Sequence, residues 1–398
     1  MVYQVGDLKN NQAILDFAKK SQVDFAVIGP EGPLANGLVD DLLSSGIKSV
    51  GPLKELAQVE SSKSFTRELL EQAKININPE FMVFESMEGM EDWIEHLEEN
   101  FVIKPDGLTG GKGVKVSGDH FNNMNEGLQI IKELLDEGIK VIVEEKLIGQ
   151  EFSLMTMTDG THFIHLPAVQ DNKRVNVGDF GPNTGGMGSY SCADFSLPFL
   201  NDQDIIEARI INEQVAAALK AKTGQAYKGI LYGNFIAVKN GLKLIEYNAR
   251  FGDPEAMNVL TVLKSDFAEI CQAVANGSLD KIKPEFYQLA TVCKYAVPEG
   301  YPADPVKNQI LDTSLVDKNK VAVYYAAVDQ RADGLYLTGS RAVAIVAKHQ
   351  DLFEAEKLAE EQICKIKGPV FHRPDIGTKS LIDKRVEMMK KIRSKDNE

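Results

Sequence analysis

Four stretches of the chain concentrate residue types that can handle phosphates, metal ions and carboxylates. In FVIKPDGLTGGKGVKV (101–116) a strand ending in Lys104 runs into a loop that sets Gly107, Gly110, Gly111 and Gly113 around Lys112. Glycines let backbone N–H groups come close to an anion, and the lysines supply point charges for phosphate oxygens. The GxxxxGK[ST] pattern of a Walker loop is absent, and a plain glycine-rich hairpin is the competing explanation. In VIVEEKLIGQEFSL (141–154) a strand delivers Glu144, Glu145 and Leu147, and Glu151 opens the next strand. Carboxylates there can accept hydrogen bonds from ribose hydroxyls or a base amino group; any one of them taken singly reads as surface charge. In LIEYNARFGDPE (244–255) Glu246 and Asn248 stand two apart on a strand, so both emerge on one face, and Arg250 continues it. A carboxylate and an amide oxygen are ligands suited to Mg²⁺, and Arg250 could grip a phosphate or carboxylate bidentately. A strand-end ion pair would use the same letters. The fourth stretch (170–191) packs Asp171, Lys173, Arg174 and Asp179 with the run Gly181-Pro182-Asn183-Thr184-Gly185-Gly186-Met187-Gly188. Glycines and both charge signs without a core of their own suit a mobile substrate lid, with disordered surface as the alternative.

These groups need a frame. Residues 23–51 read as strand, turn, helix, strand, a parallel α/β layer, preceded by a helical stretch at 11–20. Helices are expected within 54–73. Short strands and helices alternate through 81–145, and 169–191 reads as one long irregular loop, a length that is usually functional. An amphipathic helix at 204–220 is expected to turn Ile206, Ile210 and Ile211 to one side. ILYGNFIAV and LKLIEYN then pair through a Lys239-Asn240-Gly241 turn. After a helix at 264–276, strands and a helix from Asp351 follow.

With 398 residues the chain is long enough for two or three domains. A hydrophobic fraction of 43% and a charged fraction of 26% are ordinary for a globular protein and exclude collagen-like, coiled-coil and disordered classes. The net charge of −14 argues against a nucleic-acid grip over the whole surface. Four scattered cysteines form no CxxC pair, so neither a zinc ribbon nor a disulfide framework is indicated. The longest apolar run (321–328) is too short to span a bilayer, and no signal peptide is evident, so a cytoplasmic location is expected.

The order of the motifs is more specific than any one of them. VIGPEGPL, SKSFT, IKPDGLTGGKGV, VEEKLIGQE, DNKRV, GPNTGGMGSYS, IEYNARFGDPE and HRPDIG (372–377) together resemble the phosphoribosylamine–glycine ligase (glycinamide ribonucleotide synthetase) family of ATP-grasp enzymes. The resemblance implies an α/β chain: an N-terminal Rossmann-like (pre-ATP-grasp) domain at 1–61, an ATP-grasp domain at 62–265 with a mobile lid at about 81–146, and a small C-terminal α+β domain at 287–390. It implies ligation of glycine to 5-phosphoribosylamine through glycyl phosphate, with ATP and Mg²⁺ or Mn²⁺. Lys63 and Lys104 would hold ATP phosphates beneath the loop of Gly107, Gly110, Gly111, Lys112 and Gly113. Glu145 and Leu147 would border the adenine and Glu151 would meet the ribose, with Glu144 also counted among the nucleotide-binding residues. Glu246 and Asn248 would ligate the metal, and Arg250 would steady the acyl phosphate. Asp171, Lys173 and Arg174, with Asn183, Thr184, Gly185, Gly186, Met187 and Gly188, would gather glycine and the ribosyl substrate; Gly29, Pro30 and Glu31 would touch the amine substrate. Small-molecule partners, a monomer, and no role for nucleic acid or membrane follow.

Three departures stand out. The family opens with a strand and a GGREHA-type glycine turn, whereas this chain joins the pattern just before Gly29, so its N-terminal domain is expected to be incomplete. Asn172 stands where His or Tyr is common, and Gly339-Ser340-Arg341 where GGR is usual. Competing readings are another ATP-grasp carboxylate–amine ligase, or a truncated nucleotide-binding homologue with impaired activity. GPNTGGMG followed by RFGDPE argues against the first, and intact Glu246, Asn248 and Arg250 argue against a silent homologue.

Overall fold

β-Branched and aromatic runs bounded by glycine and proline form the strands of this chain, and capped amphipathic runs form its helices. The computed structural model describes residues 3–110 and 113–394. At the N-terminal end, helix Asn11–Lys20 is capped by Asn10, and strands Phe25–Val27 and Lys48–Val50 pair in parallel. Helices Glu31–Ala35 and Leu38–Ser44 connect the two strands.

A four-stranded sheet within 81–145 has the order Phe81–Phe84, Val141–Glu145, Phe101–Pro105, Lys115–Val116, with every pair antiparallel. Helices Met90–His96 and Met124–Asp136 cover it over a core of Phe84, Ile94, Phe101, Ile103, Ile131 and Val143. The central sheet runs Gly241–Asn248, Gly229–Val238, Gln150–Thr158, Phe163–His165, again antiparallel. Its hairpin closes with Lys239-Asn240, and Val238 opposes Gly241 at φ 91°, as the sequence leads one to expect. A bulge shifts the register so that Asn234 opposes Glu246 and Phe235 opposes Leu244.

Helix Asp202–Thr223, begun by an Asn201/Asp204 capping box, packs on this sheet. Its buried face carries Ile205, Ala208, Ile211, Val215 and Leu219, while Ile206 and Ile210 are exposed. The expected face therefore holds for Ile211 alone. Four isoleucines in adjacent pairs fit two helical phases equally well, and packing on Gln150–Thr158 selects one of them.

The segment expected to be one irregular loop is mostly strand. Gln170–Asp171 and Gly188–Ser191 pair with each other, and the latter pairs with Ala290–Pro298 of the C-terminal sheet. Arg174–Asn176 and Phe180–Asn183 form a small hairpin between them. These strands are only two to four residues long, and Gly188–Ser191 takes a further partner about 100 positions away, so no local periodicity announces them. Gly188 is required at this seam: with φ 151°, a Cβ there would lie 2.3 Å from the Cys293 carbonyl oxygen. Val343–His349 and Ala322–Tyr325 complete the C-terminal sheet, with helix Leu352–Ile363 packed on it. Among the described residues no helix is long and apolar enough to cross a membrane.

Candidate active site

The candidate site forms where the 81–145 sheet, the central sheet and the start of helix Lys63–Gln72 meet. Ser62 caps that helix, and Asp106 accepts from the Lys63 backbone N–H at 2.6 Å and from the Ser62 hydroxyl at 3.2 Å. The SKSFT and KPDG motifs are thereby fastened together. Lys63 Nζ donates to the carbonyls of Gly107 (2.7 Å) and Pro105 (3.1 Å) at the root of the glycine loop. Burial lowers the pKa of its ammonium, while Glu246, Asp106, Glu144 and Glu60 act in the opposite direction. Gly107 and Gly110 have positive φ; Gly113 returns the loop to Lys115–Val116. Gly111 and Lys112 lie outside the described residues.

Lys104 is nearly buried. Its Nζ lies 2.6 Å from Glu144 Oε2 and donates to the Ile245 carbonyl at 3.0 Å. Arg67, one helical turn beyond Lys63, grips Glu144 with Nε at 2.6 Å and Nη2 at 3.0 Å, and also reaches Ile245. Burial alone would raise the Glu144 carboxyl; the flanking Arg67 and Lys104 bring it below the usual range. Glu144 therefore does not stand open to a nucleotide as the sequence suggested: both oxygens are engaged, and the residue positions Lys104. Glu145 accepts from the Glu80 N–H at 2.9 Å, Leu147 is half-buried, and Glu151 meets Lys173 Nζ at 3.2 Å.

Glu246 and Asn248 leave the strand Gly241–Asn248 beside these cations. No described group hydrogen-bonds or ion-pairs with the Glu246 side chain, whereas Asn248 Oδ1 accepts from Arg250 Nη2 at 3.4 Å. An unpaired carboxylate next to an amide oxygen fits a hard divalent cation. Arg250 lies 3.4 Å from Glu31 and 3.1 Å from Glu60, so Gly29-Pro30-Glu31 of the N-terminal unit approaches the end of strand Gly241–Asn248.

Glu60 is a residue the sequence reading missed. It accepts from the Ala249 N–H at 2.7 Å, and burial holds its carboxyl up at about 7 despite Arg250. Between the pKa of an exposed glutamate and about 7, the native chain keeps a proton that the unfolded chain has released. The contribution of this group to stability thus falls as pH rises through that window and is lost above it. Without nucleotide or metal, the wild type should lose melting temperature relative to Glu60→Gln between about pH 5 and about pH 8. A pH-independent difference would contradict this.

The 170–191 segment brings Lys173 and Asp171 within electrostatic reach of Glu246, while Arg174 turns to Asp119. Lys173 feels Glu151, Glu246 and Asp171 together. One oxygen of Asp171 is buried without a hydrogen-bond partner. Burial, then the neighbouring Glu255, push its carboxyl well above the usual range. Gly186, at φ 108°, is demanded here, since a Cβ would sit 2.6 Å from Asp171 Oδ1 and from Pro254. Arg174 donates to Gly181 O at 2.8 Å and to Asp119 at 2.6 Å, and pairs in register with Asn183. Thr184 is tied to the Lys173 carbonyl.

C-terminal arginines fix this segment, which argues against a freely mobile lid. Arg341 donates to Gly185 O (2.6 Å), Gly186 O (3.2 Å) and Asp253 Oδ2 (3.0 Å) and lies over the Tyr295 ring. Arg373 and Arg385 both clamp Asp179, and Arg385 also reaches Asn172 Oδ1. Met187 is fully buried with Cys293 and Tyr295, and Gly188 lies against Cys293. These two anchor the loop from behind; they offer no ligand surface.

This arrangement can be set beside known proteins. Family models described as the N, ATP-grasp (A) and C domains of phosphoribosylglycinamide synthetase match residues 3–60, 61–256 and 291–379. A phosphoribosylamine–glycine ligase of Methanocella arvoryzae is 46% identical over 386 residues, covering 96% of this chain and 88% of the relative. The chain belongs to the phosphoribosylglycinamide synthetase family. Within that family, the ligase of Methanocaldococcus jannaschii is 47% identical over 390 residues, with the same coverage of 96% and 88%. The crystal structure of the Thermotoga maritima ligase superposes with a TM-score of 0.76 at 27% identity, covering 91% of this chain and 88% of that one. Biotin carboxylase of Campylobacter jejuni, at 16% identity and TM-score 0.69 over 98% of this chain and 83% of its own, shares the fold. The α/β ATP-grasp architecture expected from the motifs is the one observed.

Proposed function

We propose that this chain ligates glycine to 5-phosphoribosylamine, forming glycinamide ribonucleotide, ADP and phosphate in purine biosynthesis. The observation that carries the reading is the match of all three family domains along a chain in which Lys63, Lys104 and Lys173 gather around Glu246, with Glu60 between Glu246 and Arg250. The parts at 1–61, 62–265 and 287–390 then serve as amine-substrate domain, ATP-grasp domain and support for the substrate segment.

A glycine carboxylate oxygen attacks the γ-phosphorus of ATP and ADP leaves. The amine nitrogen of phosphoribosylamine then attacks the acyl carbon, phosphate leaves with the glycine oxygen, and the amine proton passes to solvent. The phosphoryl step needs positioning and charge neutralisation far more than covalent help. Lys63, Lys104 and the 107–113 loop bind the phosphates, Glu145 and Leu147 border the base, and Glu151 meets the ribose. Glu246 and Asn248 would hold Mg²⁺ or Mn²⁺, which would neutralise phosphate charge when bound. Arg250, held by Glu31 and Glu60 before substrate arrives, turns to the acyl phosphate. The unpartnered oxygen of Asp171 suits the glycine ammonium, with Lys173, Arg174, Asn183, Thr184 and Gly185 around it, and Gly29, Pro30 and Glu31 meet the amine substrate. A cytoplasmic monomer acting on small molecules, without nucleic acid or membrane, completes the reading.

The test is ADP release with each substrate omitted in turn. Turnover that requires both glycine and phosphoribosylamine supports the reading; turnover driven by a different carboxylate overturns it. Asp171→Asn should raise the KM for glycine by roughly 10–100-fold, the worth of one hydrogen bond to a charged group. An unchanged KM for glycine in that variant would remove Asp171 from the glycine site.

A further inference from the structure

In the C-terminal unit, away from the cleft, three donor atoms of different chemistry converge. Glu360 lies on helix Leu352–Ile363, and Cys364, its C-cap residue, follows four residues later on the same face. His372 arrives just after strand Val370–Phe371, which pairs with the end of Ala290–Pro298. Glu360 Oε1 stands 3.0 Å from His372 Nε2 and 3.5 Å from Cys364 Sγ, and all three ligand atoms lie within 4.8 Å of one another. Zinc bonds of about 2.0–2.3 Å to carboxylate, imidazole and thiolate put the edges of a tetrahedron at roughly 3.3–3.7 Å. Small side-chain adjustments would therefore close these atoms around one ion.

The surroundings are organised to hold the carboxylate. Lys294, fully buried, donates to Glu360 Oε2 at 2.6 Å, to Glu356 at 2.7 Å and to the Pro374 carbonyl at 2.8 Å. One oxygen of Glu360 is thus fixed from behind while the other faces His372 and Cys364, as outer-shell partners do around metal ligands. Cys364 is exposed and Glu360 and His372 are half-buried, which leaves a fourth position open to water. The other such cluster among the described residues, Asp159, His162 and Asp280, differs: Asp159 already accepts from the backbone of Thr161, His162 and Leu279.

We propose that Glu360, Cys364 and His372 form a binding site for a soft divalent cation of the zinc type, separate from the nucleotide cleft. Ligation replaces the thiol proton of Cys364, released to solvent, by a metal–sulfur bond. His372 precedes Arg373, which clamps Asp179, so a filled site ties helix Leu352–Ile363 to the anchor of the substrate segment.

The test uses the full chain carrying Glu246→Ala, which removes a proposed cleft ligand, after treatment with a chelator. Zinc should bind one ion per chain and slow the reaction of Cys364 with a thiol reagent, and cobalt should show a thiolate charge-transfer band in the near ultraviolet. Adding Cys364→Ser should abolish that band and weaken zinc by more than about 100-fold, since even outer-shell partners are worth roughly 10–100-fold. In the otherwise native chain, Cys364→Ser should leave ligation unchanged. Zinc affinity unaltered by Cys364→Ser, or cobalt bound without a thiolate band, overturns the proposal.

Discussion

Glu246→Ala is expected to abolish ATP-dependent ligation while the protein stays folded. The two halves of that statement rest on separate observations. Glu246 has no hydrogen-bond or ion-pair partner among the described side chains, so truncating it orphans nothing, and thermal unfolding without ligands should move little. In the proposed reaction, by contrast, its carboxylate is half of the protein's grip on the metal that neutralises the transferring phosphoryl. Several kcal/mol of transition-state stabilisation, about 1,000-fold or more in rate, should go with it. The loss should fall on kcat/KM, and raising the metal concentration should recover little of it. Metal-dependent turnover near the wild-type level would remove Glu246 from the metal site.

The second large effect is on stability. Glu144→Ala removes the one carboxylate between Arg67 and Lys104; at Arg67–Glu144 each side chain is only 3% exposed. Two buried cations left without their anion should cost about 3–5 kcal/mol. An exposed pair such as Lys264–Glu285, whose side chains are 50% and 62% exposed, sets the contrast. Truncating Glu285 should barely move the midpoint, because solvent screens an exposed pair. Denaturant midpoints of the two variants measure the difference. Equal, small shifts would mean that the Arg67–Glu144–Lys104 cluster is not the brace that fixes Lys104.

How far the sequence could be read depended on how local each feature is. Strand pairs closed by short turns, such as the Lys239-Asn240 hairpin, carry their signal within a few letters. So does the two-residue step from Glu246 to Asn248. Arg67 had a faint signal, standing one helical turn past Lys63 on a helix already suspected. Glu60 had no signal at all, and Asp106 and Arg341 stood inside noted motifs but with nothing local to show what they do. Their importance lies in partners about 190, 43 and 88 positions away, at Arg250, Lys63 and Asp253. Glu144 was noticed for its charge but assigned to the ligand, because burial between two cations cannot be read from a Glu-Glu pair. The 169–191 segment failed as a loop for a related reason. Its short strands exist because Ala290–Pro298 and the C-terminal arginines hold them.

The most direct test of the account follows an atom. Glycine labelled with heavy oxygen in its carboxylate is supplied with ATP and phosphoribosylamine, and the released inorganic phosphate is analysed by mass. Activation as glycyl phosphate predicts one labelled oxygen in each phosphate and one retained in the amide product. Phosphate free of label, at a turnover that still depends on glycine, would contradict acyl-phosphate chemistry at this site.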